Sequence, residues 1–137
     1  MNEKVALVIG GSGGIGLEII SSLAKNGIKV CATYYKDKTK LEELQQSNKK
    51  NISIYQINLL DDSSVNHVFQ QMLKDYKQID IVIFSVTQPI KNKSVLNLEW
   101  KDFEEHLYLQ IKGIFHVVQN LKEQIQAKHK TKFIILL

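Results

Sequence analysis

The sequence contains no arginine: its 18 strongly basic positions are all lysine. Nucleic-acid surfaces lean on arginine for bidentate contacts to guanine and phosphate. The lysines are also strung along the chain, at Lys4, Lys25, Lys74, Lys101 and Lys122 among others, rather than gathered on one element. The net charge of +4 therefore reads as solvated surface, and no nucleic-acid partner is expected. Cysteine occurs once, at Cys31, which rules out a disulfide framework and fits a cytoplasmic protein. Its apolar surroundings make it a packing residue rather than a nucleophile. Apolar runs stop at five or six residues, far short of the ~20 that a membrane-spanning helix needs. The start, MNEKVALVIG, enters a strand almost at once and leaves no room for a signal peptide. There is one proline, no internal repeat and no low-complexity linker, and apolar residues make up 44% against 23% charged. These proportions predict a single domain over residues 1–137 with a core of its own.

What the chain does have is glycine in one place. Val5 to Ile9 is an apolar run that reads as a short buried strand. Gly10, Gly11, Gly13, Gly14 and Gly16 follow within seven positions, and then a helical pattern begins with Ile15, Ile19, Ile20 and Leu23. Strand, glycine turn and helix form the context of a dinucleotide fingerprint. Glycine lets the backbone turn tightly and lets a pyrophosphate approach, and the positive end of the helix attracts it. Gly11, Gly13 and Gly16 satisfy one register, G-x-G-x-x-G. Gly10, Gly14 and Gly16 satisfy another, G-x-x-x-G-x-G. A P-loop is excluded because Leu17 stands where its lysine belongs.

The rest of the chain alternates. A first helix runs from about Ile15 to Asn26 with Gly27 as its stop, and Lys29 to Tyr34 makes a second strand. Asp37 to Asn48 is a short exposed helix, and Ile52 to Ile57 a third strand. Asp61 to Tyr76 is amphipathic, with Asp61, Asp62, Ser63 and Ser64 supplying cap and first-turn charge. Ile79 to Phe84 is a fourth strand. After a loop with Pro89, one long helix spans about Glu99 to Lys128, with the stripe Trp100, Phe103, Leu107, Ile111, Ile114, Val118, Leu121 and Ile125. That side should pack on the sheet, leaving Tyr108, Phe115 and Val117 off it. Phe133 to Leu137 opens a fifth strand, inside which the domain breaks off. Such alternation predicts a doubly wound parallel α/β sheet, a Rossmann fold of order 3-2-1-4-5, with the glycine loop at the topological switch point.

Over its whole length the chain resembles the short-chain dehydrogenase/reductase family, through Ile9-Gly10-Gly11-Ser12-Gly13-Gly14-Ile15-Gly16 in place of T-G-x-x-x-G-x-G. The resemblance implies a nicotinamide cofactor held by Gly10, Gly14 and Gly16. Ser12 would stand near the adenosine ribose and its phosphate, and Ile15 would reach toward the nicotinamide end. At the end of the second strand, where NAD-binding members carry an aspartate, stands Tyr34, followed by Tyr35, Lys36 and Lys38. Lysines attract a 2′-phosphate that a carboxylate would repel, so NADP(H) is favoured over NAD(H), with Asp37 working against it. Asn58 and Leu59 align with the aspartate-plus-aliphatic pair that holds adenine. Phe84-Ser85-Val86-Thr87 replaces N-N-A-G, leaving Ser85 and Thr87 to contact the ribose. Leu109-Gln110-Ile111-Lys112-Gly113 resembles V-N-L-K-G, and its Gln110 is similar to a subgroup of 3-oxoacyl carrier-protein reductases.

The family's catalytic serine after the fifth strand and the Tyr-x-x-x-Lys beyond it have no counterpart here. Tyr34/Lys38 and Tyr108/Lys112 fit the bare spacing in the wrong places. The expectation is thus the cofactor-binding portion of an NADP(H)-dependent oxidoreductase acting on a small-molecule or carrier-bound carbonyl or alcohol. The alternative is a non-catalytic nucleotide-binding or interaction module, and a flavin- or S-adenosylmethionine-binding relative is disfavoured. His67, His106, His116 and His129 read as surface or packing residues on helices, with no metal site expected. The neighbouring carboxylates Glu42-Glu43, Asp61-Asp62 and Glu104-Glu105 splay apart on helices. In the family the long helix commonly joins a four-helix interface, which implies a homo-oligomer.

Overall fold

The computed structural model describes residues 3–89 and 92–136. Five parallel strands lie in the order β3-β2-β1-β4-β5, made of β1 (Val5–Ile9), β2 (Lys29–Tyr34), β3 (Ile52–Gln56), β4 (Ile81–Phe84) and β5 (Lys132–Ile135). The central strand β1 is buried along its length, and its pleat sends alternate side chains to two cores. Leu7 and Ile9 join Cys31, Val65, Phe69, Met72 and Phe84 beneath α3 (Asp62–Tyr76) and α5 (Gly113–Asn120). Val8 joins Val30, Ala32, Ile20 and Leu41 on the opposite face, under α1 (Gly14–Lys25) and α2 (Thr39–Ser47). Each fully buried side chain of this size contributes about 1.5–3 kcal/mol of transfer free energy. The expected sheet, with its strand order, is therefore the observed one. Leu137, the expected end of the fifth strand, lies outside the described residues.

Element ends follow local chemistry. Asp61 caps α3 by accepting from Ser63 N and Ser64 N at 2.9 and 3.4 Å. Hydrogen bonds from the Ser63 hydroxyl and from both amides hold its carboxyl below the ordinary aspartate range. Asp37 does similar work at α2, accepting from Thr39 N at 2.9 Å and Thr39 Oγ1 at 2.8 Å, and its carboxyl is likewise lowered, by the amide first.

The long helix is the main correction. It is divided into α4 (Trp100–Leu107), a π-helical turn over Tyr108–Lys112, α5, and a short α6 (Lys122–Gln126). A π turn widens the helix by one residue, so a stripe counted at three and four residues slips around the axis as it crosses Tyr108–Lys112. The face on the sheet is Leu109, Gly113, Val117 and Leu121, spaced by four, with Ile114 partly covered; Leu121 and Ile114 belong to the expected stripe, and Leu109, Gly113 and Val117 do not. Val117, expected off the stripe, is 1% exposed, whereas Trp100 is 69% and Ile111 64% exposed. Gly113 is required by this packing, since a Cβ there would lie 2.9 Å from Phe84 Cζ.

His116 is a packing residue on α5, as expected, whereas His129 departs from expectation. His116 Nε2 lies 3.2 Å from Asp62 Oδ1, and His129 Nε2 lies 3.0 Å from Asp80 Oδ1. Neither nitrogen has a hydrogen-bond partner among the described residues. His129 sits in the loop after α6 rather than on a helix. The lysines scattered in sequence also gather in space. Lys4, Lys29, Lys50, Lys77, Lys130 and Lys132 stand at or just before strand starts, and a parallel sheet places all of those at one edge.

A cleft at the carboxyl ends of the strands

The opposite edge carries the candidate site. At the end of β1 the chain turns through Gly10 at φ 88°, a conformation that L side chains rarely adopt. A Cβ at Gly10 would lie 2.7 Å from Ser85 O, and one at Gly16 would lie 2.2 Å from Gly10 O. The loop is stitched to both flanking strands: Gly11 N donates to Thr33 O at 2.9 Å, and Ser85 N to Ile9 O at 2.9 Å. Thr33, buried at the end of β2, adds weak links from Oγ1 to Val8 O and from Gly10 N to Oγ1, each 3.4 Å. The α1 ladder begins with Leu17 N donating to Gly13 O at 2.8 Å. The N–H groups of Gly14, Ile15 and Gly16 consequently have no helical acceptor, and the N-cap Gly13 has no side chain to offer one. They present three donors and the positive end of the helix dipole.

Beside this turn opens a cleft of about 580 Å³. One arm runs along the ends of β2 and β3, lined by Tyr34, Tyr35, Lys36, Asn58, Leu59 and Leu60. The other runs past Ser85, Val86, Thr87, Gln88 and Pro89 to Leu109, and Gly10, Ser12 and Gly13 lie between the arms. Of the residues expected from sequence, Gly10, Ser12, Tyr35, Lys36, Asn58, Leu59, Ser85 and Thr87 line it. Gly14, Ile15 and Gly16 do not; they form the first turn of α1 beside it. Thr33, Tyr34, Leu60, Val86, Gln88, Pro89 and Leu109 also line the cleft and were not expected there. For Leu109 the missed signal is the π turn. For Thr33 and Tyr34 it was readable, since strand ends at a switch point border the ligand crevice.

The charges near the second strand divide. Lys38 is engaged by Glu42 at 2.6 Å, a contact that raises its pKa. Lys36 stands 5.4 Å from the centroid of the Tyr35 ring and lines the cleft. Asp37, turned onto Thr39, is occupied locally. At the β3–α3 turn, Asn58 Oδ1 accepts from Leu60 N at 3.1 Å and Asn58 N donates to Ser64 Oγ at 3.0 Å. Phe84 sits in the core, 2% exposed, rather than in the cleft. Tyr108 and Lys112 are outside the cleft's lining, Lys112 Nζ being engaged by Leu60 O and Asp62 Oδ1, each at 3.1 Å. Cys31 is buried in the core, its thiol pushed up to about 12 by burial first and the Asp75 carboxylate second. Among the described residues no helix is long and apolar enough to cross a membrane.

Comparison with known proteins gives concordant matches. The family model described as short chain dehydrogenase matches residues 4–136. A 3-oxoacyl-acyl-carrier-protein reductase, FabG, of Aquifex aeolicus is 30% identical over 132 residues, covering 93% of this chain and 53% of that protein. ElxO, solved with NADP bound, superposes with a TM-score of 0.84 at 22% identity, over 97% of this chain and 54% of its own. A 3-oxoacyl-acyl-carrier-protein reductase from Brucella melitensis, solved with NAD, has a TM-score of 0.81 at 20% identity, over 98% of this chain and 55% of its own. The chain thus spans about half the length of these relatives.

Proposed function

The chain belongs to the short-chain dehydrogenase family, and from that premise we propose that its cleft holds a nicotinamide dinucleotide, NADP(H) in preference to NAD(H), as the cofactor-binding part of an oxidoreductase. The observation that carries the proposal is the open glycine face. Gly10 and Gly16 are glycines because the protein's own atoms leave no room. Gly13, by contrast, has φ −88° and nothing within 4 Å of where a Cβ would stand, yet it lines the cleft. No described residue requires glycine there, whereas the close approach of a pyrophosphate does. The residues present therefore fit the group.

When bound, the dinucleotide supplies a nicotinamide that exchanges hydride with a carbonyl or alcohol. The chain's own part is binding and orientation. The amides of Gly14, Ile15 and Gly16, which have no helical acceptor, would meet phosphate charge, and Ser12 and Lys36 would hold a 2′-phosphate. Asn58 and Leu59 border the base, and Ser85 and Thr87 offer hydroxyls to the second ribose. The NADP name of one neighbour and the Lys36 ammonium, which has no carboxylate partner among the described residues, support the phosphorylated cofactor, while the NAD name of another keeps the preference one of degree. Proton transfer in this family uses a serine and a Tyr-x-x-x-Lys that residues 1–137 lack in that place, so this stretch by itself binds without turnover.

A carbonyl on a small molecule or an acyl carrier is the substrate class supported by the Aquifex relative's name. A homo-oligomer is supported by the exposed apolar side chains of Trp100, Leu107, Ile111 and Phe115, which line a groove of about 450 Å³, with Phe103 also exposed; a cytoplasmic location draws on the lone cysteine. Calorimetric titration with NADPH and NADH tests the reading: both should bind, NADPH more tightly, and binding of neither would end it. The non-catalytic alternative draws on Phe84 being turned into the core. It is separated by assaying carbonyl reduction in any longer form that carries the serine and Tyr-x-x-x-Lys.

A further inference from the structure

The charge of the protein is unevenly placed. The lysines at the starts of the strands are joined there by Lys25 and Lys74 in the last turns of α1 and α3, and by Lys128 just after α6. Helices that alternate with parallel strands run back toward the strand starts, so all of these stand at one edge. Lys29 is partly buried and lies 3.9 Å from Glu3. The others are exposed, with no carboxylate partner among the described residues. The carboxylates of the same edge are few and already engaged. Glu3 faces Lys29, and Asp75 accepts from Tyr55 Oη at 3.1 Å. Asp80 accepts from Val5 N at 2.8 Å and lies 3.0 Å from His129 Nε2. The edge thus carries more positive charge than the whole protein's net +4, and the remainder is net acidic.

Backbone strain marks the same place. Lys77 at φ 65° and Lys128 at φ 61° are the non-glycine residues with positive φ among the described residues. Each follows a helix, as Gly27 at φ 78° follows α1. Glycine takes this conformation freely, whereas a side chain in it is costly and persists where something else favours it. Neither lysine side chain makes a hydrogen bond or ion pair among the described residues, so no described residue calls for lysine there.

We propose that this edge is a docking surface for an anionic lipid bilayer, on which the protein lies with its cleft turned toward solvent. The kind of partner follows from the kind of cation. A nucleic acid or a single phosphate is held best by arginine forks or an enclosing pocket. The chain holds no arginine, and none of these lysines lines the cleft or the groove beside α4. Ammoniums on flexible stems need no fixed orientation. They are spread across five strands about 4.8 Å apart, a front roughly 20 Å wide that matches a field of headgroups rather than one ligand. Each lysine near such a surface strengthens binding about fivefold. Because the cleft lies at the opposite edge, docking leaves it open. The inference is independent of the dinucleotide reading.

The test is co-sedimentation with vesicles of phosphatidylcholine, with and without about 30% phosphatidylglycerol, at about 0.1 M salt. The protein should bind the anionic vesicles and not the neutral ones, and raising the salt to about 0.5 M should release it. Lys77→Gly combined with Lys128→Gly should lower the partition coefficient about twenty-five-fold, while the protein melts at or above the wild-type temperature. A purely structural role for these lysines would lower the melting temperature and leave partition unchanged. Lys4→Gln with Lys130→Gln, both exposed and outside helices and strands, should lose as much without touching the strained backbone. Lys101→Gln, exposed at the start of α4, should keep the wild-type partition. No binding to anionic vesicles, equal binding to neutral ones, or an unchanged partition in both paired variants overturns the inference. Stronger binding to polyglutamate than to the vesicles also overturns it, assigning the edge to an acidic protein.

Discussion

Two glycines three positions apart should respond to the same substitution in opposite ways. In Gly16→Ala the new Cβ would stand 2.2 Å from Gly10 O, about 1 Å inside ordinary carbon–oxygen contact. That oxygen belongs to the backbone of the turn at φ 88°, so the clash cannot be relieved by a rotamer change. Overpacking of this sort costs about 1–3 kcal/mol, and a backbone-on-backbone clash lies at the upper end. With about 4 °C of melting temperature per kcal/mol in a chain of this size, Gly16→Ala should melt roughly 10 °C below the wild type. Gly13→Ala meets nothing within 4 Å. The entropy lost from its unfolded state, worth about 0.4–1 kcal/mol, offsets the weaker N-cap, so stability should change by no more than about 0.5 kcal/mol. Its methyl group nonetheless projects where a pyrophosphate would lie, and NADPH affinity should fall about tenfold or more. Melting curves and calorimetric titrations read both effects. A Gly16→Ala protein that melts within 2 °C of wild type would refute the packing argument, and a Gly13→Ala protein that binds NADPH normally would refute the phosphate argument.

Replacing Lys36 by alanine should reduce NADPH affinity about fivefold at 0.1 M salt and leave NADH affinity unchanged. Lys38→Ala, whose ammonium is already paired with Glu42, should do less; equal effects would mean that the two lysines are misassigned. Asp61 has a carboxyl pKa lowered by its cap bonds. The stability it contributes is therefore present above the unfolded aspartate value and lost as pH falls through the lower, folded one. Asp61→Asn should flatten that part of the melting-temperature profile on the acid side, and an unchanged acid limb would contradict the cap. The Cys31 thiol, pushed up to about 12, holds only about one part in ten thousand as thiolate at pH 8. It should resist a thiol reagent until denaturant is added, and rapid labelling of the native protein would show that β2 is not buried.

Much of the fold was legible because its signals are local. The run Val5–Ile9 between charged and glycine positions, the cap at Asp61 and the repeating apolar face of α3 each determine their element within a few residues. The parallel order then follows from right-handed crossovers. The cleft was legible for a related reason: a strand, a glycine turn and a helix already define where an anion is welcome. The helix boundaries from Trp100 onward were not legible, because a π turn leaves no distinctive residue type behind. Counting apolar spacing straight through Tyr108–Lys112 placed Trp100 and Ile111 on the sheet beside Leu121, whereas the structure has Val117 there with Leu121 and leaves the other two exposed.

What the sequence by itself determined about this protein is the succession of elements, the glycine turn and the missing aspartate at the end of β2. The tertiary structure alone decided which distant groups meet. It brought Asp62 to His116 and Lys112, Phe84 to Gly113, and Thr33 to the glycine loop. It turned the Asn58 side-chain oxygen onto Leu60 N. It also collected lysines from five separate segments at one edge of the sheet. The physical reason is range. Periodicity and capping act over a turn or a strand, whereas convergence depends on how twisted strands and packed helices bring together residues far apart in the chain.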